Sequence, residues 1–383
     1  MRILVFSNLP PYVLGGAEIQ VSRLVSAWVQ SGHDVEIAGH RIPTSSVALG
    51  NHQVPTHRIY TYNRAGRLGR ALTYLISTIV LLARHRKRFD VIYCRGMGDA
   101  AISVTFAKAI RLIGLPLVAC PINAKGRGDT NFIQSIPGWR LIVFSLNRHC
   151  NAVNIIAPAI INDLEKLNVT APITALIPNG IPIQPPLIKK RTDRVRHMVF
   201  TGRLSHQKGL DLLIAALGEL MRLGYSFRLD IVGSGPLKEK LRKQIRELSL
   251  DPYIRLLGEI PAGEIRSLLV QYDALVLPSR YEGMSNAALE AMEAGIPVLV
   301  TRCGGIDHYI NAQKGWVCEP DDPKSLMDAL SSLLETPPEV LDDMGLQARI
   351  MVEEHFDIGM IARKNIELFG KMVATERKQA RFE

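Results

Sequence analysis

The feature that leaves this chain the fewest folds is a repeated grammar. A short apolar run gives way to a loop rich in glycine or proline, and the loop to a stretch with apolar residues at helical spacing. Ile3–Phe6, Val35–Ala38, Val91–Tyr93 and Leu117–Ala119 read as strands in the first half. Between the first two, Val21, Leu24, Val25, Trp28 and Val29 recur on one helical face. The second half repeats the pattern: Met198–Phe200, a helix over about Leu210–Leu223, then Leu229–Val232, Ile254–Leu257, Ala274–Leu277 and Val298–Thr301. Alternating strands and helices predict parallel β-α-β units. Open sheets of this kind take their ligands at the carboxyl ends of the strands.

A break separates the halves. Over Ile181–His197 lie Pro182, Pro185 and Pro186, then the polar run Lys189–Arg194. Proline plus charge without periodicity predicts a linker. The expected division is 1–183, 184–357, and a final amphipathic helix in 358–383 with no sheet of its own, expected to cross back onto the first domain. The class is α/β, two doubly wound Rossmann-like domains facing across a cleft.

Charge is unevenly placed. The first 190 residues carry 21 Lys and Arg against 8 Asp and Glu, and the remainder 25 against 28. A basic first half reads as ordinary solubility charge or as attraction to an anionic surface such as phospholipid. Zinc-finger spacing, RNA-binding signatures and interleaved aromatics are missing, so nucleic acid is not the expected partner. Five cysteines with no C-x-x-C pair fit reduced, buried thiols in the cytoplasm, with no metal site. The N-terminal apolar run is too short for a signal peptide. The longest apolar stretch, Ala71–Ala83, is shorter than the roughly 20 residues a bilayer needs. Its flanks are basic, with Arg64, Arg67 and Arg70 before and Arg84, Arg86, Lys87 and Arg88 after. A buried helix with solvated ends is the expectation, and a helix lying on the inner face of a membrane the alternative.

Three segments carry chemistry. Pro10–Glu18 follows the first strand and opens a helix; Gly15 and Gly16 permit close approach of a ligand to the backbone, and the helix start offers free N–H groups to phosphate. The segment is not G-x-G-x-x-G, which disfavours a dehydrogenase. Thr201–Gly209 follows the first strand of the second half. Arg203 offers a planar fork and Lys208 a mobile point charge, a pair suited to neutralising a departing diphosphate. In Ser279–Glu290, Glu282 lies in a loop after a strand, and Asn286 and Glu290 are one helical turn apart on a shared face. Carboxylates accept two hydrogen bonds in plane, which suits sugar hydroxyls. Each segment also has a plain structural reading as a tight turn, a solvated loop or a solvated helix face.

Taken together, the sequence resembles the retaining glycosyltransferases of family four, which have the GT-B fold. The matching strings are GGAE at Gly15–Glu18, IPNG at Ile177–Gly180, GRLSHQKG at Gly202–Gly209, GSGP at Gly233–Pro236 and PSRYEGMSNAALEAMEAGIPV from Pro278 to Val298. The resemblance implies an acceptor-binding first domain and a nucleotide-sugar-binding second domain. It makes Arg203 and Lys208 the diphosphate pair, Glu282 the contact to the transferred sugar and Glu290 the ribose ligand. Backbone groups of Gly283, Met284, Ser285, Asn286 and Ala287 would touch sugar or phosphate, and Gly16 the diphosphate. It further implies a UDP- or GDP-sugar donor of hexose type, retention of configuration, no metal and no cofactor. The acceptor would be a glycan or lipid-linked molecule in cell-surface polysaccharide synthesis, with peripheral contact to anionic membrane.

Family members often carry histidine near the ends of two first-domain strands. Here those stretches read Tyr93-Cys94-Arg95 and Cys120-Pro121-Ile122-Asn123. Arg95, Asn123 or Lys125 are the candidates to replace them, and Lys125–Asp129 resembles a substrate loop. Two other readings stand beside transfer: a sugar-nucleotide epimerase on the same architecture, and a non-catalytic nucleotide-sugar-binding subunit.

Overall fold

The structure, a computed structural model, describes all residues except 63, 65, 124–127, 188–194 and 380–383. Lys125 and the whole polar linker run, Lys189–Arg194, lie outside the described residues. The chain forms two compact units, Met1–Pro182 with Ile358–Glu383, and Ile183–Asp357.

The first unit is built on an eight-stranded sheet. Its elements are β1 (Arg2–Phe6), α1 (Gly16–Gln30), β2 (Asp34–Gly39), β3 (Ser46–Leu49), β4 (His52–Arg58), α2 (Gly66–His85), β5 (Val91–Arg95), α3 (Asp99–Ala109), β6 (Leu117–Cys120), α4 (Asp129–Gln134), α5 (Trp139–His149), β7 (Ala152–Ile155), α6 (Ala159–Lys166) and β8 (Ile173–Leu176). Strand order is β3-β4-β2-β1-β5-β6-β7-β8. β3 pairs antiparallel to β4, and the other pairs are parallel. β1, β5, β6 and β7 are almost wholly buried, as parallel strands covered on both faces must be.

The second unit holds β9 (Arg196–Thr201), α7 (Leu210–Arg222), β10 (Phe227–Val232), α8 (Lys238–Glu247), β11 (Ile254–Gly258), α9 (Ala262–Leu269), β12 (Ala274–Leu277), α10 (Asn286–Glu293), β13 (Val298–Thr301), β14 (Gly315–Cys318), α11 (Pro323–Glu335) and α12 (Pro338–His355). The order β11-β10-β9-β12-β13-β14, all parallel, reverses direction between β9 and β12. That reversal opens a crevice at the carboxyl ends of these two strands.

The last helix, α13 (Ile358–Gln379), belongs to the first unit. Its Phe369 ring lies 5.4 Å from Trp28 of α1 and 5.7 Å from Tyr93 of β5, and Trp28 donates its indole N–H to the carbonyl of Ala362 at 3.2 Å. Glu376 accepts from Asn151 at 2.6 Å and from Lys108 at 3.3 Å. A chain that leaves for another unit and returns is thus tied by one aromatic cluster and one polar knot.

α2 departs from the expectation of a buried helix. It extends beyond the apolar run at both ends and buries only Tyr74, Thr78 and Leu82, four residues apart along one ridge. The ridge packs on α3 while the opposite side faces solvent. The all-apolar composition of 71–83 conceals that only one face has a partner. The hairpin of β3 and β4 is hard to read from sequence because Pro55 and the alternation of His52–Arg58 give a weak apolar signal.

Phe369→Ala removes the ring on which Trp28 and Tyr93 pack. It is expected to cost about 3–5 kcal/mol, read by chemical denaturation of the full chain.

Candidate active site

In the second unit, the loops that leave β9, β10, β12 and β13 meet backbone to backbone. An added Cβ on Gly209 would lie 2.0 Å from the Pro278 carbonyl oxygen, and Gly209 sits at φ +64°. On Gly305 a Cβ would lie 1.8 Å from the carbonyl of Gly283, and on Gly235 2.4 Å from that of Leu204. Only glycine allows such approach, so these loops bring their side chains within a small space.

Arg280 locks the arrangement. Its guanidinium donates to both oxygens of Asp211 at 2.8 Å, to Asp321 at 2.7 Å and to the His206 carbonyl at 2.7 Å. Its backbone N–H donates to the Gln207 carbonyl at 2.8 Å, and the Gln207 amide donates to the Tyr281 carbonyl at 3.1 Å. The Arg280 hydrogen bonds hold the Asp211 carboxyl below the usual carboxylate range. The short turn His206–Lys208 is therefore fastened to the loop after β12.

Against that frame, Lys208 and Glu282 meet. The ammonium of Lys208 contacts Glu282 Oε2, and Ser279 donates to the same oxygen at 3.2 Å. Both side chains are mostly buried. α10 begins immediately after, capped by the Ser285 hydroxyl, which accepts from the Ala288 N–H. Gly283, Met284 and Ser285 are buried, while Asn286, Ala287 and Glu290 are partly open on the first turns of that helix. The start of this helix carries positive partial charge beside the Lys208–Glu282 pair. Arg203 stands exposed between Gly202 and Leu204, and its guanidinium makes no ion pair among the described residues. A small recess behind Glu282 is lined by Ser279, Gly283, Ser285, Thr301, Cys303 and Asp307. Asp307 accepts from the N–H groups of Gly304 and Gly305 at 2.8 and 2.7 Å. Among the described residues no group of three His, Cys, Asp or Glu is placed to hold a metal.

The first unit has its own hollow, about 190 Å³, at the carboxyl ends of β1, β2 and β5. Asn8, Glu18, His40, Arg95, Asp99 and Asp129 line it. Gly15 caps α1 in extended backbone, Gly16 is the first helical residue, and the Glu18 carboxylate folds back over Gly15. Gln20, fully buried, bonds Gly180 in both directions at 2.9 and 2.8 Å once its amide is oriented to satisfy both, which joins the GGAE helix to the IPNG loop. Arg95 borders the hollow but is largely committed inward: it donates to Asn179 at 2.8 Å and to Cys120 at 3.1 Å. Its Nε is buried without a partner. Asn123 is wedged against Gly128, where an added Cβ would lie 2.7 Å from its own. Asp129 accepts from the N–H groups of Met97 and Ile122, both at 2.9 Å, and burial raises its pKa. It staples the ends of β5 and β6 together.

His40 lies outside every motif of the sequence. It follows β2, contacts Asn8 at 3.4 Å and faces the hollow, and burial, followed by the charges of Arg41 and Arg70, lowers its pKa. His40 follows β2, which β1 separates from β5, and it lines the same hollow as Arg95. The one signal for it is its position one residue past an apolar strand. Arg280 is hidden in another way, as one charge inside a longer matching string.

Residues 15–180 match the family model "Glycosyl transferase 4-like domain" and residues 188–351 match "Glycosyl transferases group 1". The chain belongs to this family of glycosyltransferases. A glycosyltransferase of Escherichia coli provisionally named for colanic acid biosynthesis, WcaL, is 32% identical over 174 residues, covering 44% of this chain and 43% of that one. The glycogen synthase of Mycobacterium tuberculosis is 37% identical over 141 residues, 37% of this chain and 34% of it. These matches span under half the length of those relatives. A phosphatidylinositol N-acetylglucosaminyltransferase chain from Arabidopsis thaliana matches more widely, 24% identical over 89% of this chain and 76% of its own. The fold is also that of sucrose-phosphate synthase from Thermosynechococcus elongatus, with TM-score 0.81 at 18% identity, covering 98% and 100% of the two chains. This is the GT-B fold.

Gly209→Ala places a Cβ against the Pro278 carbonyl at a left-handed backbone position. It is expected to destabilise by roughly 1–3 kcal/mol or more, read as a lowered thermal midpoint.

Proposed function

We propose that this chain transfers a hexose-type sugar from a UDP- or GDP-sugar to a hydroxyl of a glycan or lipid-linked acceptor, with retention of configuration and without a metal. The observation that carries the reading is the contact of Lys208 with Glu282 at the carboxyl ends of β9 and β12. A diphosphate entering this crevice would find Lys208, the exposed guanidinium of Arg203 and the start of α10. Those three positive groups lie where charge develops as the leaving group departs. Glu282, released from Lys208 by the incoming phosphate, would accept from hydroxyls of the transferred sugar, and Glu290 from the ribose. In the reaction, the bond from the anomeric carbon to the β-phosphate oxygen breaks. The acceptor oxygen bonds to the same face of that carbon, and its proton passes to the departing phosphate. The hollow of the first unit supplies the acceptor side in this reading, with His40 held neutral enough to accept a hydrogen bond from a hydroxyl.

The relatives' names span an envelope polysaccharide, glycogen and a phosphatidylinositol product, so family membership leaves the acceptor open. In this reading the chain acts in the cytoplasm on cell-surface polysaccharide, which the first of these names and the free, buried cysteines support.

A thermal-shift panel of UDP-, GDP- and ADP-sugars is expected to raise the midpoint with one nucleotide class, since a ligand that binds only the folded state stabilises it. Glu282→Gln is expected to abolish sugar transfer while the same nucleotide still shifts the midpoint. Undiminished turnover in this variant would contradict the assignment. Chelation with EDTA is expected to leave turnover unchanged, and a loss restored by magnesium would remove the metal-free reading.

A further inference from the structure

We propose that the outer face of the helical layer α2, α3 and α5 is a docking surface for an anionic phospholipid bilayer. This deepens the reading of a lipid-linked or membrane-proximal acceptor, on which it rests, by naming the surface that meets the membrane.

The first observation is an apolar face without a partner. Along α2, Leu68, Leu72, Ile76 and Val80 recur every fourth residue and are exposed, Leu68 by 78%. α3 packs beside α2 and α5 beside α3. Exposed Phe106 and Ile110 stand on or just beyond α3, and Leu141 and Phe144 on α5 at 75% and 66%. Isolated exposed apolar residues are ordinary, but rows of them on three neighbouring helices are not.

The second observation is charge. From Ile37 to Asn162 the sequence has three acids against 16 Lys and Arg. All three acids are engaged: Asp90 by Arg2 at 2.9 Å, Asp99 by Arg70 at 2.7 Å, and Asp129 by two backbone N–H groups. The apolar rows are therefore framed by cations, Arg67 and Arg84 on α2, Arg111 after α3, and Arg140 and Arg148 on α5, with no free carboxylate among the described residues of that stretch. A partner protein surface would ordinarily present both signs. An apolar centre with cations along its own helices fits acyl chains beneath anionic headgroups. Tyr60 and Tyr62, both exposed, run beside α2, and the Arg140 guanidinium lies 5.6 Å from the ring centre of Trp139. Aromatic rings of this kind favour the headgroup level.

α2 is long and apolar enough to cross a membrane by length and composition. Its bonds tie it to the unit instead. Ser77 and Thr73 accept the backbone N–H groups of Tyr60 and Tyr62 at 3.0 and 2.9 Å, and Arg70 is paired with Asp99 of α3. Crossing would strip these contacts, so the helix lies on the surface.

The test is co-sedimentation of the full chain with vesicles of phosphatidylglycerol and phosphatidylcholine, or of phosphatidylcholine alone. Binding is expected only with phosphatidylglycerol and is expected to weaken at high salt. Leu72→Ser with Ile76→Ser, and separately Leu141→Ser with Phe144→Ser, are expected to reduce binding roughly tenfold or more, since each pair removes large apolar side chains from the lipid boundary. In both variants the nucleotide-sugar thermal shift is expected to persist, which also shows that they fold. Equal binding by wild type and variants would overturn the proposal. So would failure to bind anionic vesicles, or a wild-type dimer that these substitutions dissociate. A vesicle-binding protein without any nucleotide-sugar shift would instead overturn the proposed transfer.

Discussion

An ammonium held against a carboxylate at the reversal point of a parallel sheet is what the rest of the second unit serves. Lys208 and Glu282 are 74 residues apart in the chain, on loops after β9 and β12. Where the winding of a parallel sheet changes direction, the loops after the two adjacent strands leave toward opposite faces and open a crevice between them. Placing a cation and an acid on the two loops of that point gives a pair that neutralises itself when empty. In the proposed transfer a diphosphate competes for the cation, and the carboxylate is then left to neutral hydroxyls. Part burial sharpens the exchange, because an unpaired charge there would be costly.

The precision of this pair depends on groups that never touch a ligand in this reading. Gly209, Gly235 and Gly305 let backbones approach where any Cβ would collide with a carbonyl. Arg280 commits its whole guanidinium to Asp211, Asp321 and a carbonyl, so that the turn carrying Lys208 has little freedom. The first unit follows the same logic. Arg95, Asp129 and Gln20 join strand ends and loops, and what remains open is a hollow edged by His40 and Glu18. Its layer of α2, α3 and α5 is held by apolar ridges on the inside and left greasy and basic outside.

Much of this is legible in the residues. Buried parallel strands announce themselves as continuous apolar runs, so β1, β5, β9, β10, β12 and β13 can be read within a residue or two. The string from Pro278 to Val298 carries the site because its small residues and two glutamates suit one turn and one helix. Other parts are hidden for physical reasons. Hairpin β3–β4 has few apolar residues to alternate, and β7, β8 and β14 have their apolar runs broken or shortened by Asn154, Thr174 and Gly315. Arg95 reads as a free cation until Asn179 is folded beside it. His40 has no partner in sequence at all, and only the sheet brings it to Asn8. α2 reads as buried because composition does not say which face finds a neighbour.

Titration calorimetry of a nucleoside diphosphate into the wild-type chain and into Lys208→Met, Glu282→Gln and the double variant tests the central pair most directly. A charge-assisted bond contributes about 1.5–3 kcal/mol, so Lys208→Met should weaken the affinity about tenfold or more. Glu282→Gln should not weaken it, because it frees the cation from its competitor, and the double variant should resemble Lys208→Met. Unchanged affinity in Lys208→Met, or a loss in Glu282→Gln as large as that in Lys208→Met, would contradict a cation that is stored on the carboxylate and handed to phosphate.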